Sequence, residues 1–248
     1  MKVVTHNDFL QVYVSDPAAA PGRIESVLDA IRDEVTFEEA LTAGEDEIGA
    51  VHGKWHIQDV TQQGLYKISA LAAGAAIQTA LIGMEEPCFG LLRPPGHHAS
   101  ADHAWGFCYF NNMAIALEHL RLTGRIRKAH VLDFDMHYGD GTVNILSGKG
   151  YVSIHNPRAE KREDYIEEVS EELARVKVDV IGVSAGFDNH VDDWGRVLLT
   201  EDYQTMGKMV LETAKRLGAG CFALLEGGYN HRVLGRNVRA FLQGIQGL

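Results

Sequence analysis

Residues 131–141 read Val131-Leu132-Asp133-Phe134-Asp135-Met136-His137-Tyr138-Gly139-Asp140-Gly141. The run His130–Phe134 is largely apolar on consecutive positions, which suits a strand buried on both faces of a parallel sheet. Directly after it come carboxylates, an imidazole and glycines. The same grammar recurs along the chain. Candidate strands are Lys2–Thr5, Cys88–Leu92, His130–Phe134, Tyr151–His155, Asp179–Ser184 and Cys221–Leu225. Candidate helices between them are Ile24–Glu34, Gly64–Ile82, Asn112–Leu122, Glu163–Val176, Glu201–Leu217 and Val233–Leu248. Strands alternating with helices predict an α/β fold, a parallel sheet flanked by helices in a single domain over residues 1–248. The acidic stretch Glu38–Glu47 reads as a solvated helix face or loop.

In open α/β sheets, ligands bind beyond the carboxyl ends of the strands. Five strand ends carry chemistry here. Cys88–Leu92 leads into Arg93-Pro94-Pro95-Gly96-His97-His98, and His130–Phe134 into the stretch quoted above. Tyr151–Ile154 leads into His155, Asp179–Ser184 into Ala185-Gly186-Phe187-Asp188, and the last strand into Glu226-Gly227-Gly228-Tyr229. Asp135 and His137, two apart in extended chain, point to one side and can share a metal ion. Asp188 offers a third ligand, leaving an open coordination position of the catalytic type. A histidine of the His97–His98 pair can move protons there, and Asp133 and Asp140 are surplus carboxylates able to orient the pair. Tyr229 can donate a hydrogen bond to an oxyanion.

The 248 residues carry a net charge of −11, with 46% hydrophobic and 23% charged residues. That composition is globular. The acidic balance argues against nucleic acid, whose phosphates need basic surface. No apolar run approaches the ~20 residues of a membrane span. The three cysteines, Cys88, Cys108 and Cys221, are scattered and suggest no disulfide framework, so a reducing, cytoplasmic location is expected.

The blocks around these strand ends, together with Gly106-Phe107-Cys108-Tyr109-Phe110-Asn111-Asn112 and Ser153-Ile154-His155, resemble the zinc-dependent histone deacetylase and acetylpolyamine amidohydrolase superfamily, in the family's order and over nearly the whole chain. Their wording is closer to prokaryotic and class II members. The resemblance implies an arginase–deacetylase fold and hydrolysis of an N-acetyl amide, such as acetyl-lysine or an acetylpolyamine, by zinc-activated water. It implies that Asp135, His137 and Asp188 bind zinc, with ferrous iron an open alternative for such ligands. His98 matches the general base and acid with Asp140 behind it, and His97 its companion with Asp133 behind it. Tyr229 matches the group polarising the carbonyl. Gly106 and Phe107 match one tunnel wall, Gly227 and Gly228 accompany the substrate, and Arg23 matches an inner-channel arginine. Asp133, Asp135, His137, Ser153 and Ile154 match a structural potassium site.

The chain departs from the family in two places. Only 28 residues separate His155 from Ser184, and no aromatic occurs there before Tyr165, so the second tunnel wall is missing. Trp105 is one candidate to replace it. The rim is also cut down, which leaves room for a homo-oligomer. Two other readings remain on the same scaffold: an arginase-like ureohydrolase, which needs further Asp and His ligands, and a non-catalytic protein binding a metal or an acyl ligand.

Overall fold

The computed structural model describes residues 1–248. Seven strands form one sheet: β1 (Lys2–Thr5), β2 (Thr36–Glu39), β3 (Cys88–Gly90), β4 (Ala129–Asp133), β5 (Val152–His155), β6 (Val180–Ala185) and β7 (Gly220–Leu225). The spatial order is β2-β1-β3-β7-β6-β4-β5, and every pairing is parallel. Nine α-helices connect them: α1 (Arg23–Ile31), α2 (Glu45–Gly49), α3 (Lys54–Gln62), α4 (Tyr66–Gly83), α5 (Asn112–Leu122), α6 (Asp140–Leu146), α7 (Arg162–Arg175), α8 (Thr200–Leu217) and α9 (His231–Gln246).

The core follows from strand alternation. In β7, Phe222 and Leu224 join the apolar cluster that holds α4 and α5. Their neighbours Cys221, Ala223 and Leu225 join the cluster that holds α1, α8 and α9. Burial on both faces is why the central strands read as unbroken apolar runs. Helix α4 is Ala-rich and buried along most of its length, so it has no polar face to show.

Six strands coincide with the sequence expectation. β2 does not: its Thr-Phe-Glu-Glu sequence is polar because it is an exposed edge strand, and it takes the start of the stretch assigned above to a solvated helix or loop. Helices α2, α3 and α6 are short and carry little apolar periodicity. No helix is long and apolar enough to cross a membrane.

Two buried histidines stabilise this frame as neutral rings. His52 Nδ1 donates to the Ser100 carbonyl at 3.0 Å, and its Nε2 accepts the Asn111 N–H at 2.9 Å. Burial, aided by His56, depresses His52 to about 3; burial, aided by His155, depresses His130 to about 4. A depressed folded pKa gives stability that is present above the unfolded value of about 6.5 and is lost as pH falls below it. Between pH 7 and pH 5 the wild type is therefore expected to lose about 2 kcal/mol more than His52→Gln. Denaturant melts at the two pH values check this; parallel losses in the two proteins would refute it.

Candidate active site

Loops at the carboxyl ends of β3, β4, β6 and β7 converge on one spot. The loop after β4 supplies Asp135 and His137, and the loop after β6 supplies Asp188. One ligand atom from each lies within 4.8 Å of the others, and no other His, Cys, Asp or Glu triple in the chain is so grouped. Asp135 Oδ1 accepts the His137 backbone N–H at 2.9 Å, which folds the i, i+2 pair onto one point. Asp188 Oδ1 accepts the Met136 N–H at 3.1 Å. Asp188 Oδ2 lies 3.1 Å from His137 Nδ1 yet has no directed donor, although Asp188 is fully buried.

Such an orphaned carboxylate oxygen is what a cation would satisfy. The charges agree. Asp135 and Asp188 push His137 up to about 10, burial notwithstanding. Burial and the charge of Asp135 raise Asp188 to about 6, while His97 and His137 overcome burial to lower Asp135. Two buried carboxylates call for positive charge at this point. Glycine gives them room: a Cβ on Gly227 would stand 2.6 Å from Asp135 Oδ2 and 2.7 Å from Asp188 Oδ2. The Gly227 N–H also donates to Asp135 Oδ2 at 2.8 Å. The donor set, two carboxylates and an imidazole, fits a divalent cation such as zinc or ferrous iron.

The tandem histidines arrive on the loop after β3. His97 Nδ1 lies 3.1 Å from Asp133 Oδ2, and His98 Nδ1 lies 2.7 Å from Asp140 Oδ1. Asp133 ends β4 and Asp140 begins α6, so the two carboxylates reach the loop from separate elements. Their surroundings drive the two rings apart. Burial alone would lower His97, but Asp135 and Asp133 outweigh it and hold it well above the ordinary range. His98 has burial and the His97 charge against it and is lowered to about 4, in spite of Asp140. One ring is thus kept as a cation and its neighbour as a free base, the pattern of assigned acid and base roles.

Tyr229 follows β7. Its ring lies edge-on to Phe107, with centroids 5.9 Å apart, and stacks on Trp194 at 4.0 Å and 24°. The Arg23 guanidinium sits 5.5 Å from the same ring. Arg23 itself is fully buried, and its Nε donates to the Gly228 carbonyl at 2.8 Å. Burial first, then the charges of Asp135 and Asp188, raise the Tyr229 phenol far above its usual range, so it stays a hydrogen-bond donor. Gly106 and Phe107 both have left-handed backbone, and this turn delivers the Phe107 ring to Tyr229.

The remaining predicted residues fall elsewhere in the same region. Ser153 and Ile154 lie on β5 opposite His130 and Val131, and the Ser153 hydroxyl is 2.9 Å from His130 Nδ1. Trp105, the candidate for the second wall, lines a cavity together with Phe107 and is half exposed. It packs on His98 with ring centroids 3.8 Å apart at a tilt of 32°, and its Nε1 donates to Asp140 Oδ2 at 2.9 Å. Three contributors were given no role by the sequence reading. Glu226 is fully buried, and its Oε2 accepts the N–H groups of Gly96 at 2.7 Å and His97 at 3.2 Å, tying β7 to the histidine loop. Its signal was a carboxylate continuing the apolar run Leu224-Leu225. Asp193 and Trp194 hold Tyr229 and lie in a loop with no apolar pattern to mark them.

Comparison with known proteins identifies the family. The histone deacetylase domain family matches residues 38–165 and 152–245. A protein of Methanothermobacter thermautotrophicus named as a probable deacetylase is 31% identical over 285 aligned positions, covering 91% of this chain and 85% of its own. The acetylpolyamine amidohydrolase of Burkholderia pseudomallei is 34% identical, covering 73% of this chain and 61% of its own. Among solved structures, the HDA15 HD domain superposes with a TM-score of 0.88 at 22% identity, over 100% of this chain and 91% of that one, a likeness of fold. The chain belongs to the histone deacetylase family.

Proposed function

We propose that this protein is a metal-dependent amidohydrolase that removes the acetyl group from an N-acetylated amine, acetyl-lysine or an acetylpolyamine. The observation that carries the reading is the coincidence of two pairs, His98–Asp140 and His97–Asp133, with the Asp135–His137–Asp188 cluster beneath Tyr229. A divalent cation on that cluster would polarise the amide carbonyl and acidify water. His98 Nε2 takes the proton from the attacking water, since Asp140 occupies Nδ1 and fixes the tautomer. The same nitrogen then returns the proton to the leaving amine. Tyr229 donates its O–H to the carbonyl oxygen as charge gathers there. His97, oriented by Asp133 and packed against His98, adds a second ring N–H beside it.

The assignment of Asp133, Asp135, His137, Ser153 and Ile154 to a potassium site rests on the family resemblance alone. An arginase-like reading would need a second set of metal ligands, and the single three-residue cluster does not support it.

The test is acetate release by zinc-loaded and by iron-loaded protein from an acetyl-lysine peptide, acetylputrescine and acetylspermidine. Release that stops in chelator and in His98→Ala is the expected result and ranks the substrates. Retention of metal with no acetate from any of the three would leave a binding protein in place of an enzyme.

A further inference from the structure

We propose that Trp194 supplies the second wall of the substrate channel, from the loop after β6, and that Asp193 locks that wall to Tyr229. The proposal rests on the deacetylase reading above.

The segment after β5 cannot supply the wall. Residues 156–160 contain no aromatic, and Glu168 Oε2 pins them by accepting the N–H groups of Arg158 and Ala159, each at 3.0 Å. The Arg158 guanidinium lies over the Tyr138 ring at 4.9 Å. Between this segment and the metal ligands lies a cavity of about 270 Å³ that reaches Asp135 and His137. The channel is thus open on the side of the 156–160 segment.

Trp194 stands on another side. It is 46% exposed, although one face is stacked on Tyr229, and its ring centroid is 6.1 Å from that of the ligand His137. Phe107 and Trp194 thus both pack on the Tyr229 ring. A substrate chain passing Phe107 to reach Tyr229 meets the indole on its other flank. An exposed indole beside an acidic centre also offers a face to an ammonium group.

The loop that carries Trp194 is built to hold it still. Asp193 Oδ2 accepts both the Tyr229 N–H at 2.9 Å and the Asn230 N–H at 2.8 Å, while Oδ1 accepts the Trp194 N–H at 2.9 Å. One carboxylate thereby ties the indole backbone to the tyrosine backbone. The Gly195 N–H returns to the carbonyl of Asp188 at 2.8 Å, which joins the loop to a metal ligand. Arg196 closes the turn with a φ of 60°, a strained conformation outside glycine. An exposed tryptophan carried on a strained, cross-tied loop costs stability, and such strain gathers at binding sites.

The experiment uses zinc-loaded protein labelled with 5-fluorotryptophan. Its three indoles, Trp55, Trp105 and Trp194, are assigned by single Phe replacements. Acetylputrescine and an acetyl-lysine amide are the probes, and acetate release is followed in parallel. The Trp194 resonance is expected to shift on titration, and that of Trp55, whose side chain is 83% exposed on α3, to stay. Trp194→Ala is expected to raise KM by ~10-fold with a smaller change in kcat, and Trp194→Phe to recover most of that loss. Asp193→Asn is expected to lower kcat more than it raises KM, because it frees Tyr229.

A Trp194 resonance that does not move overturns the wall, whether or not acetate is released. A shift without acetate keeps the wall and overturns the deacetylase reading. Equal KM values in wild type and folded Trp194→Ala also overturn the wall.

Discussion

Asp188→Asn is expected to abolish turnover and metal retention together. Its carboxylate is fully buried, and its Oδ2 has no directed hydrogen-bond donor. Loss of even an outer partner of a metal ligand costs roughly 10–100-fold in affinity or activity, so loss of a direct ligand should exceed ~100-fold. The variant also carries a sign that separates a metal site from a structural ion pair. Without metal, Asp188 is a buried carboxylate crowded by Asp135, and removing its charge should stabilise the fold. With metal, the wild type gains stability by mass action and the variant does not. The melting order of the two proteins should therefore reverse between chelator and zinc. A variant less stable than wild type in both conditions would place Asp188 in the frame of the fold and outside a metal site.

Tyr229→Phe is expected to lower kcat by about 10²–10³ while KM moves little, the range seen when one oxyanion donor is removed. The separation of kcat from KM follows from the packing. The ring contacts with Phe107, Trp194 and Arg23 survive in phenylalanine, and only the O–H is lost. Steady-state kinetics on metal-loaded protein decide the matter. A kcat within a few-fold of wild type would remove Tyr229 from the reaction and leave charge stabilisation to His97.

Most of the site was legible because it lies at strand ends, where polar residues interrupt apolar runs. Asp135, His137, Asp188, the tandem histidines and Tyr229 each stand just beyond a strand read as buried, and the fold brings those ends together. Two surplus carboxylates beside the ligand pair pointed to partners for the histidines; which carboxylate serves which ring was implied only by the family resemblance, and the structure pairs Asp133 with His97 and Asp140 with His98. What stayed hidden has no periodicity to betray it. Strand β2 is polar because it is an edge, so it reads as a loop. Trp194 and Asp193 act through a loop whose conformation depends on hydrogen bonds to Asp188, His190 and Tyr229, distant in sequence or irregular in spacing. Trp105 drew attention for its place between the histidines and Gly106; its half-exposed ring lies against His98, with Nε1 bonded to the second oxygen of Asp140.

The position of β7 has a consequence for how the chain reaches this state. β7 is the last strand in sequence but lies between β3 and β6, pairing with both. Until it docks, the sheet is two separate ribbons with open apolar edges, and Glu226 and Tyr229 have nothing to hold. Long-range parallel pairing of this kind is slow, because loop closure must precede any reward from contact. During synthesis the ribosome releases both edges before the strand that joins them. Between the emergence of β6 and that of β7 the nascent chain therefore carries two open sheet edges, the kind of surface that invites association. The candidate site is completed only with β7, the strand that fills the sheet's centre.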